Sequence, residues 1–213
     1  MNRLRITEIF YSLQGETRTV GLQTVFIRLT GCPLRCGYCD TAYAFQGGAM
    51  LDIEEILGQV AQYKTRYVTV TGGEPLAQKA CVALLAQLCD AGYEVSLETS
   101  GAIDVSPVDP RVVKVVDIKT PGSNEVDKNL FSNIDYLFPH DQIKFVICNR
   151  ADYDWAKDIM NNYQLTEICS VLFSPSHNEQ VAGELADWIL QDQLTVRLQI
   201  QLHKFLWGDV QGR

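Results

Sequence analysis

Three cysteines, Cys32, Cys36 and Cys39, fall within eight residues of this 213-residue chain. The loop that carries them also holds Gly31, Pro33 and Gly37, a composition tight enough to gather three thiolates round one inorganic centre. A structural zinc takes four protein ligands, commonly two CxxC pairs or one CxxC with two distant histidines. No second CxxC is present, and His140, His177 and His203 are scattered. Three cysteines can instead hold three irons of a [4Fe–4S] cluster and leave the fourth iron open for a ligand. A zinc loop completed by a remote residue, or three inert thiols, is the competing expectation.

Two further features bear on chemistry. Gly72-Gly73-Glu74-Pro75 follows a β-branched run; its glycines let the backbone approach a ligand, and its carboxylate can pair with an ammonium group. Alone, that segment reads as a turn. Arg28 stands in the apolar run Val25–Leu29, where a cation is costly unless it meets an anionic ligand or an internal carboxylate. The remaining cysteines, Cys81, Cys89, Cys148 and Cys169, read as inert thiols.

Composition narrows the partners. Lys and Arg number 18 against 26 Asp and Glu, a formal charge of −8 with no basic run, which argues against nucleic acid and anionic membranes. No stretch approaches the ~18 apolar residues of a membrane span. The opening Met-Asn-Arg-Leu-Arg-Ile-Thr-Glu lacks the apolar core of a secretory signal. The expected location is the reducing cytoplasm, where thiols stay thiols or bind metal.

The elements that must position these residues alternate. Strands are expected at Val25–Leu29, Tyr67–Thr71, Glu94–Glu98, Val112–Ile118, Gln142–Ile147, Ser170–Phe173 and Thr195–Ile200. Helices are expected at Ile53–Tyr63 with Asp52 as N-cap, at Ala77–Ala91 ending at Gly92, and at Asp127–Ile134, Tyr153–Tyr163 and Gln180–Gln191. The alternation implies right-handed βαβ units and a mostly parallel sheet in one domain over residues 1–213. Six or seven strands suit either an open doubly wound sheet or a barrel short of eight units. Either way, functional residues belong at the carboxyl ends of the strands, where Cys32, Gly72–Pro75, Thr99–Gly101 and Lys119–Pro121 lie.

CxxxCxxC followed by a strand and Gly-Gly-Glu-Pro resembles the radical S-adenosylmethionine (SAM) superfamily. Within it, Ser12-Leu13-Gln14-Gly15-Glu16, Phe26-Ile27-Arg28-Leu29, Gly31-Cys32-Pro33, Cys39-Asp40-Thr41, Thr71 to Pro75, Glu98-Thr99-Ser100-Gly101 and Gln201-Leu202-His203-Lys204, in that order, resemble the 7-carboxy-7-deazaguanine synthases of the queuosine pathway. One departure is Thr17, where that family usually has Gly after Gln-Gly-Glu.

The resemblance implies a modified, incomplete TIM-like (β/α) barrel of the radical SAM type, usually a homodimer. It implies that 6-carboxy-5,6,7,8-tetrahydropterin becomes 7-carboxy-7-deazaguanine with loss of ammonia, in a pathway that modifies tRNA. One electron, from a donor such as flavodoxin, would cleave SAM, and the resulting radical would take and later return a substrate hydrogen. Cys32, Cys36 and Cys39 would hold the [4Fe–4S] cluster. Tyr38, Gly73, Glu74, Asp117, Ile118, Lys119 and Ser174 would line SAM, Ser174 standing where many relatives show Gln. Leu13, Gln14, Gly15, Glu16, Arg28 and Thr71 would contact the pterin, Arg28 through the substrate carboxylate. His203 would close the site from the last strand. Thr41 would ligate Mg²⁺, whereas Asp40-Thr41 without the family reads as a capping pair. A glycyl-radical activase, and a non-catalytic zinc or iron–sulfur module, are the alternatives.

Overall fold

The computed structural model describes residues 2–177 and 179–212. Its elements in chain order are β1 (Arg3–Leu13), β2 (Gln23–Leu29), β3 (Ala49–Asp52), α1 (Ile53–Val60), β4 (Tyr67–Gly72), α2 (Cys81–Asp90), β5 (Glu94–Thr99), β6 (Val113–Asp117), β7 (Gln142–Ile147), α3 (Arg150–Asn162), α4 (Leu165–Ile168), β8 (Ser170–Pro175), α5 (Ala182–Gln191), β9 (Arg197–Leu198) and α6 (Leu202–Trp207). One sheet joins the strands in the order β3-β1-β2-β4-β5-β6-β7-β8-β9. From β2 to β9 the neighbours run parallel, and β1 pairs antiparallel with both β2 and β3. The parallel strands follow chain order without reversal, so the switch point of a doubly wound sheet is missing. Right-handed crossovers then put the helices on one face and leave the other bare. Residues from β1 to β8 line a single cavity, so the sheet curls round that bare face as an incomplete barrel.

Side-chain alternation separates packing from chemistry. Val25, Ile27, Leu29, Val68, Val70, Val95 and Leu97 point outward and pack on Ile53, Ile56 and Val60 of α1 and Leu84, Leu85 and Leu88 of α2. A second core joins Ile143, Phe145, Ile147, Val171 and Phe173 to Tyr153 and Met160 of α3 and Leu185 and Ile189 of α5. Each fully buried apolar side chain contributes about 1.5–3 kcal/mol, so a one-residue slip in any strand is strongly disfavoured. The intervening residues, among them Arg28, Thr71, Glu98, Asp117, Lys144 and Ser174, face the cavity. That fixed register aims the polar set inward.

Helix starts follow their caps. Asp52 and Glu55 form a reciprocal capping box at α1, and the Asn149 side chain accepts from Asp152 N at α3.

Several expectations are corrected. The sheet has two strands beyond the expected set, β1 and β3; in β1, Leu4 and Ile6 alternate, but a bulge between Ile6 and Glu8 breaks the period. The helix expected at Ala77–Ala91 begins at Cys81, because Pro75–Ala77 forms a 3-10 turn and Gln78 is extended. In place of a helix at Asp127–Ile134 stand two 3-10 segments, Val126–Lys128 and Phe131–Tyr136. Side-chain bonds from Asn129 to Lys119 and from Asn133 to Gly101, Ile103 and Val105 override the helical pattern there. The last strand shrinks to Arg197–Leu198, and the residues after it turn into α6. No helix among the described residues is long and apolar enough to cross a membrane.

Candidate active site

The loop after β2 and the turn after β4 are stitched together. Gly73 N donates to Leu29 O at 3.1 Å, and Glu74 N donates to Gly31 O at 2.8 Å. A Cβ on Gly73 would collide with the Gly31 carbonyl and crowd Cys32, so this approach needs glycine. On its other side the loop is anchored by Gly37 N donating to Ser123 O at 3.0 Å. Cys32, Cys36 and Cys39 are free, half-buried, and open onto one cavity of about 240 Å³. Burial pushes the Cys32 thiol up and the Cys36 thiol up to about 11. A coordinated metal centre overrides such a shift, because it deprotonates its thiols outright.

Among the described residues, no three His, Cys, Asp or Glu side chains are placed to hold a metal ion. A lone zinc needs donors converging on one point, whereas a four-iron cluster sets its thiolates further apart. Three cysteines lining one cavity suit three irons of such a cluster, and no fourth ligand joins them for a zinc among the described residues.

Beside the cysteines, Lys119 Nζ pairs with Asp117 Oδ2 at 2.8 Å and lies 5.8 Å from the centroid of the Tyr38 ring. Asp117 Oδ1 and the Tyr38 hydroxyl are buried without a protein partner, polar atoms suited to a polar ligand in this wall. Ser174 completes it from β8.

The opposite wall carries a hydrogen-bonded carboxylate. Glu98 accepts from the Thr71 hydroxyl at 2.8 Å and from Gln14 Nε2 at 3.3 Å, and Gln14 also donates to Thr69 at 3.1 Å. Burial, reinforced by the negative Glu16, pushes the Glu98 carboxyl above the usual carboxylate range. Lys144 Nζ reaches Glu16 at 3.1 Å and Asp117 at 4.0 Å. Burial alone would lower this ammonium, but Glu16, Asp117 and Glu98 outweigh it and hold it protonated. Arg28 Nε pairs with Glu8 Oε1 at 2.7 Å, and the Tyr43 hydroxyl donates to the same oxygen at 2.8 Å. The Phe10 and Phe26 rings stack beside it at 4.9 Å.

The carboxyl-terminal segment covers the site. Leu202 N donates to Gly15 O at 3.0 Å, and the His203 ring sits where a Cβ on residue 15 would be, so Gly15 is required by that approach. Burial lowers the His203 imidazole. Thr41 donates to Asp40 Oδ1 at 2.9 Å.

Fourteen further residues expected from the sequence line this cavity with Cys32 and Cys36: Leu13, Gln14, Gly15, Glu16, Arg28, Tyr38, Cys39, Thr41, Thr71, Gly73, Asp117, Lys119, Ser174 and His203. Two expected there do not. Ile118 belongs to the second core. Glu74 is fully buried behind the wall, where its carboxylate accepts from Leu76 N, the Thr99 hydroxyl and Ser100 N. His203 arrives from α6 instead of a strand. Glu98, Gln201 and Lys204 stand in the motifs that carry the resemblance but were given no role, and Lys144 was missed; a cation within the mostly apolar β7 was the available signal for it.

The Radical SAM superfamily matches residues 26–118. The 7-carboxy-7-deazaguanine synthase of Koribacter versatilis is 42% identical, over 96% of this chain and 97% of its own. That of Chlorobaculum tepidum is 41% identical, over 98% and 97%. The chain belongs to the 7-carboxy-7-deazaguanine synthase family. Its fold agrees: the crystal structure of QueE from Escherichia coli matches at a TM-score of 0.78 and 22% identity, covering 94% of this chain and 95% of that one. As a radical SAM enzyme of this family, it uses a [4Fe–4S] cluster and SAM, which removes the zinc-module alternative; the deazaguanine relatives displace the activase. Thr17 adopts φ 65°, the left-handed conformation glycine takes most readily. A β-branched residue thus occupies a turn position that favours glycine.

Proposed function

We propose that this cavity converts 6-carboxy-5,6,7,8-tetrahydropterin to 7-carboxy-7-deazaguanine with release of ammonia, on the route to queuosine. The observation that carries the reading is that Cys32, Cys36 and Cys39 open onto the same cavity as the Gln14–Glu98–Thr71 network. When bound, the cluster and SAM supply the one-electron chemistry that opens the reaction by hydrogen abstraction. The chain's own residues orient and enclose. Gly73 lets the turn pack against the cysteine loop, and with Tyr38, Asp117, Lys119 and Ser174 it lines SAM. Glu74 acts one layer back, holding the turn. Gln14 and Glu16, with Leu13 and Gly15 beside them, present amide, carboxylate and backbone groups to the pterin edge, and Thr71 supports them. Arg28 meets the substrate carboxylate while Glu8 holds its Nε, and His203 with the Phe10–Phe26 pair excludes water. Thr41 contributes a hydroxyl to Mg²⁺, a cation that keeps several waters and needs few protein ligands.

We further infer a single domain over 1–213 acting as a homodimer in the cytoplasm, supplied with electrons by a protein such as flavodoxin. The negative formal charge supports small-molecule chemistry over nucleic-acid binding. Iron analysis of single substitutions tests the cluster assignment. Cys32→Ala, Cys36→Ala or Cys39→Ala should lose iron and SAM cleavage, while Cys81→Ala and Cys89→Ala keep both. A Cys36→Ala protein with full iron and activity would refute it.

A further inference from the structure

Gln201 precedes α6 and lies between two carboxylates from opposite sides of the site. Its amide nitrogen Nε2 donates to Glu16 Oε1 and to Asp40 Oδ2, each at 3.0 Å, which uses both of its hydrogens. Each carboxylate is also balanced by a cation. Lys144 Nζ stands 3.1 Å from the second oxygen of Glu16, and Lys204 Nζ stands 3.3 Å from Asp40 Oδ2. The second oxygen of Asp40 accepts the Thr41 hydroxyl at 2.9 Å. The result is a chain, Lys144–Glu16–Gln201–Asp40–Lys204, with two cations, two anions and a neutral bridge at its centre.

We propose that Gln201 is a positioning residue that fixes the distance between Glu16 and the Asp40–Thr41 pair, a role that rests on the assignment of Glu16 to the pterin and Thr41 to Mg²⁺. The chemistry favours glutamine at this place. A carboxylate there would donate nothing and would repel both neighbours, and asparagine is one methylene short. The direction of the Thr41 bond matters as well. Its hydrogen is spent on Asp40, so its oxygen keeps its lone pairs for a hard cation. Partners that orient a ligand in this way are worth roughly 10- to 100-fold in metal affinity. Gln201 holds Asp40 for that task and sets Glu16 at a defined separation from it. Leu202 N donating to Gly15 O ties the same segment to the backbone beside Glu16.

The test uses holoenzyme kept unreduced, so that substrate binds without turning over. Calorimetric binding of 6-carboxytetrahydropterin is measured across a Mg²⁺ series for the unsubstituted protein, Gln201→Met, Gln201→Glu, Thr41→Ala and Glu16→Gln. Iron content and melting temperature are recorded on the same samples, and KM and kcat on separate samples reduced in the presence of SAM. Gln201→Met keeps the length of the side chain and removes both donors. It should raise the substrate Kd and KM by about tenfold or more, weaken the Mg²⁺ dependence, change kcat far less, and leave iron content and melting temperature unchanged. Gln201→Glu should be the more damaging of the two, since three carboxylates then stand in a row. The proposal is overturned if Gln201→Met binds like the unsubstituted protein while Thr41→Ala and Glu16→Gln are impaired; the site assignment then stands and Gln201 is a bystander. Wild-type binding by Thr41→Ala and Glu16→Gln would instead remove the assignment on which the proposal rests. Lost iron or a lowered melting temperature in both Gln201 variants would make the residue structural, and that also overturns it.

Discussion

At Arg28 the ion-pair and ligand readings coincide in one side chain. Its Nε is committed to Glu8, directly opposite it across the β1–β2 pair, while the residue also lines the cavity. Loss of a charge-assisted bond to the substrate carboxylate should weaken substrate binding by roughly 10- to 150-fold in Arg28→Ala. Arg28→Lys should recover only part, because a point charge cannot hold Glu8 and grip a carboxylate with a planar fork. Both variants should keep their iron, and unchanged substrate affinity in a folded Arg28→Ala protein would contradict the assignment. The cation was legible in the sequence because it interrupts an apolar strand. Its partner was not, because Glu8 lies on a strand whose pattern the bulge disguises. The same contrast holds for Glu74. Its place in the motif was plain, but only the folded turn reveals that its oxygens are used by Leu76, Thr99 and Ser100.

The strand-end turn after β4 makes that contrast testable at the level of elements. Glu74 ties the 3-10 turn at Pro75–Ala77 to the end of β5, and the neighbouring Gly73 abuts the cysteine loop. Glu74→Ala would leave a hydroxyl and two backbone N–H groups without their buried acceptor, each such loss costing about 1–3 kcal/mol. The expected outcome is a large fall in melting temperature with iron lost in step. A Glu74→Ala protein of normal stability with a selective defect in SAM affinity would restore the direct SAM contact. Elements carried by regular alternation, such as Gln142–Ile147, were readable to the residue. Those held by side-chain bonds to distant backbone, as Asn133 holds Phe131–Tyr136, were not, since no local pattern encodes the partner. The segment from residue 199 onward is similar: Gln199 N bonds Phe173 O, but the chain then leaves the sheet for α6.

Across the whole molecule, an apolar outer layer supports a charged interior, and Glu98 shows the cost. Its carboxyl is raised on folding, so the folded state favours the protonated form. Stability on this account is greatest below the unfolded value of about 4.3 and declines as pH rises from there through the higher folded value. Glu98→Gln should therefore melt higher than the unsubstituted protein at pH 7, with the gain fading near pH 4, and should turn over substrate poorly. Equal melting temperatures at both pH values would contradict the raised carboxyl. Such a trade of stability for function is common where a site needs buried polar groups. The barrel class and most of the cavity residues were legible from motif order and strand ends. His203 was legible as the residue that closes the site, but its carrier was not: α6 stands in place of the expected strand, with Gln201 just before it and Lys204 within it.

The most direct test of the central claim is product analysis by mass spectrometry after anaerobic incubation of the reduced holoenzyme with SAM, Mg²⁺ and 6-carboxy-5,6,7,8-tetrahydropterin. The expected result is 7-carboxy-7-deazaguanine and ammonia in equal amounts, well in excess of the SAM consumed. Cleavage of SAM with the pterin left intact would contradict it.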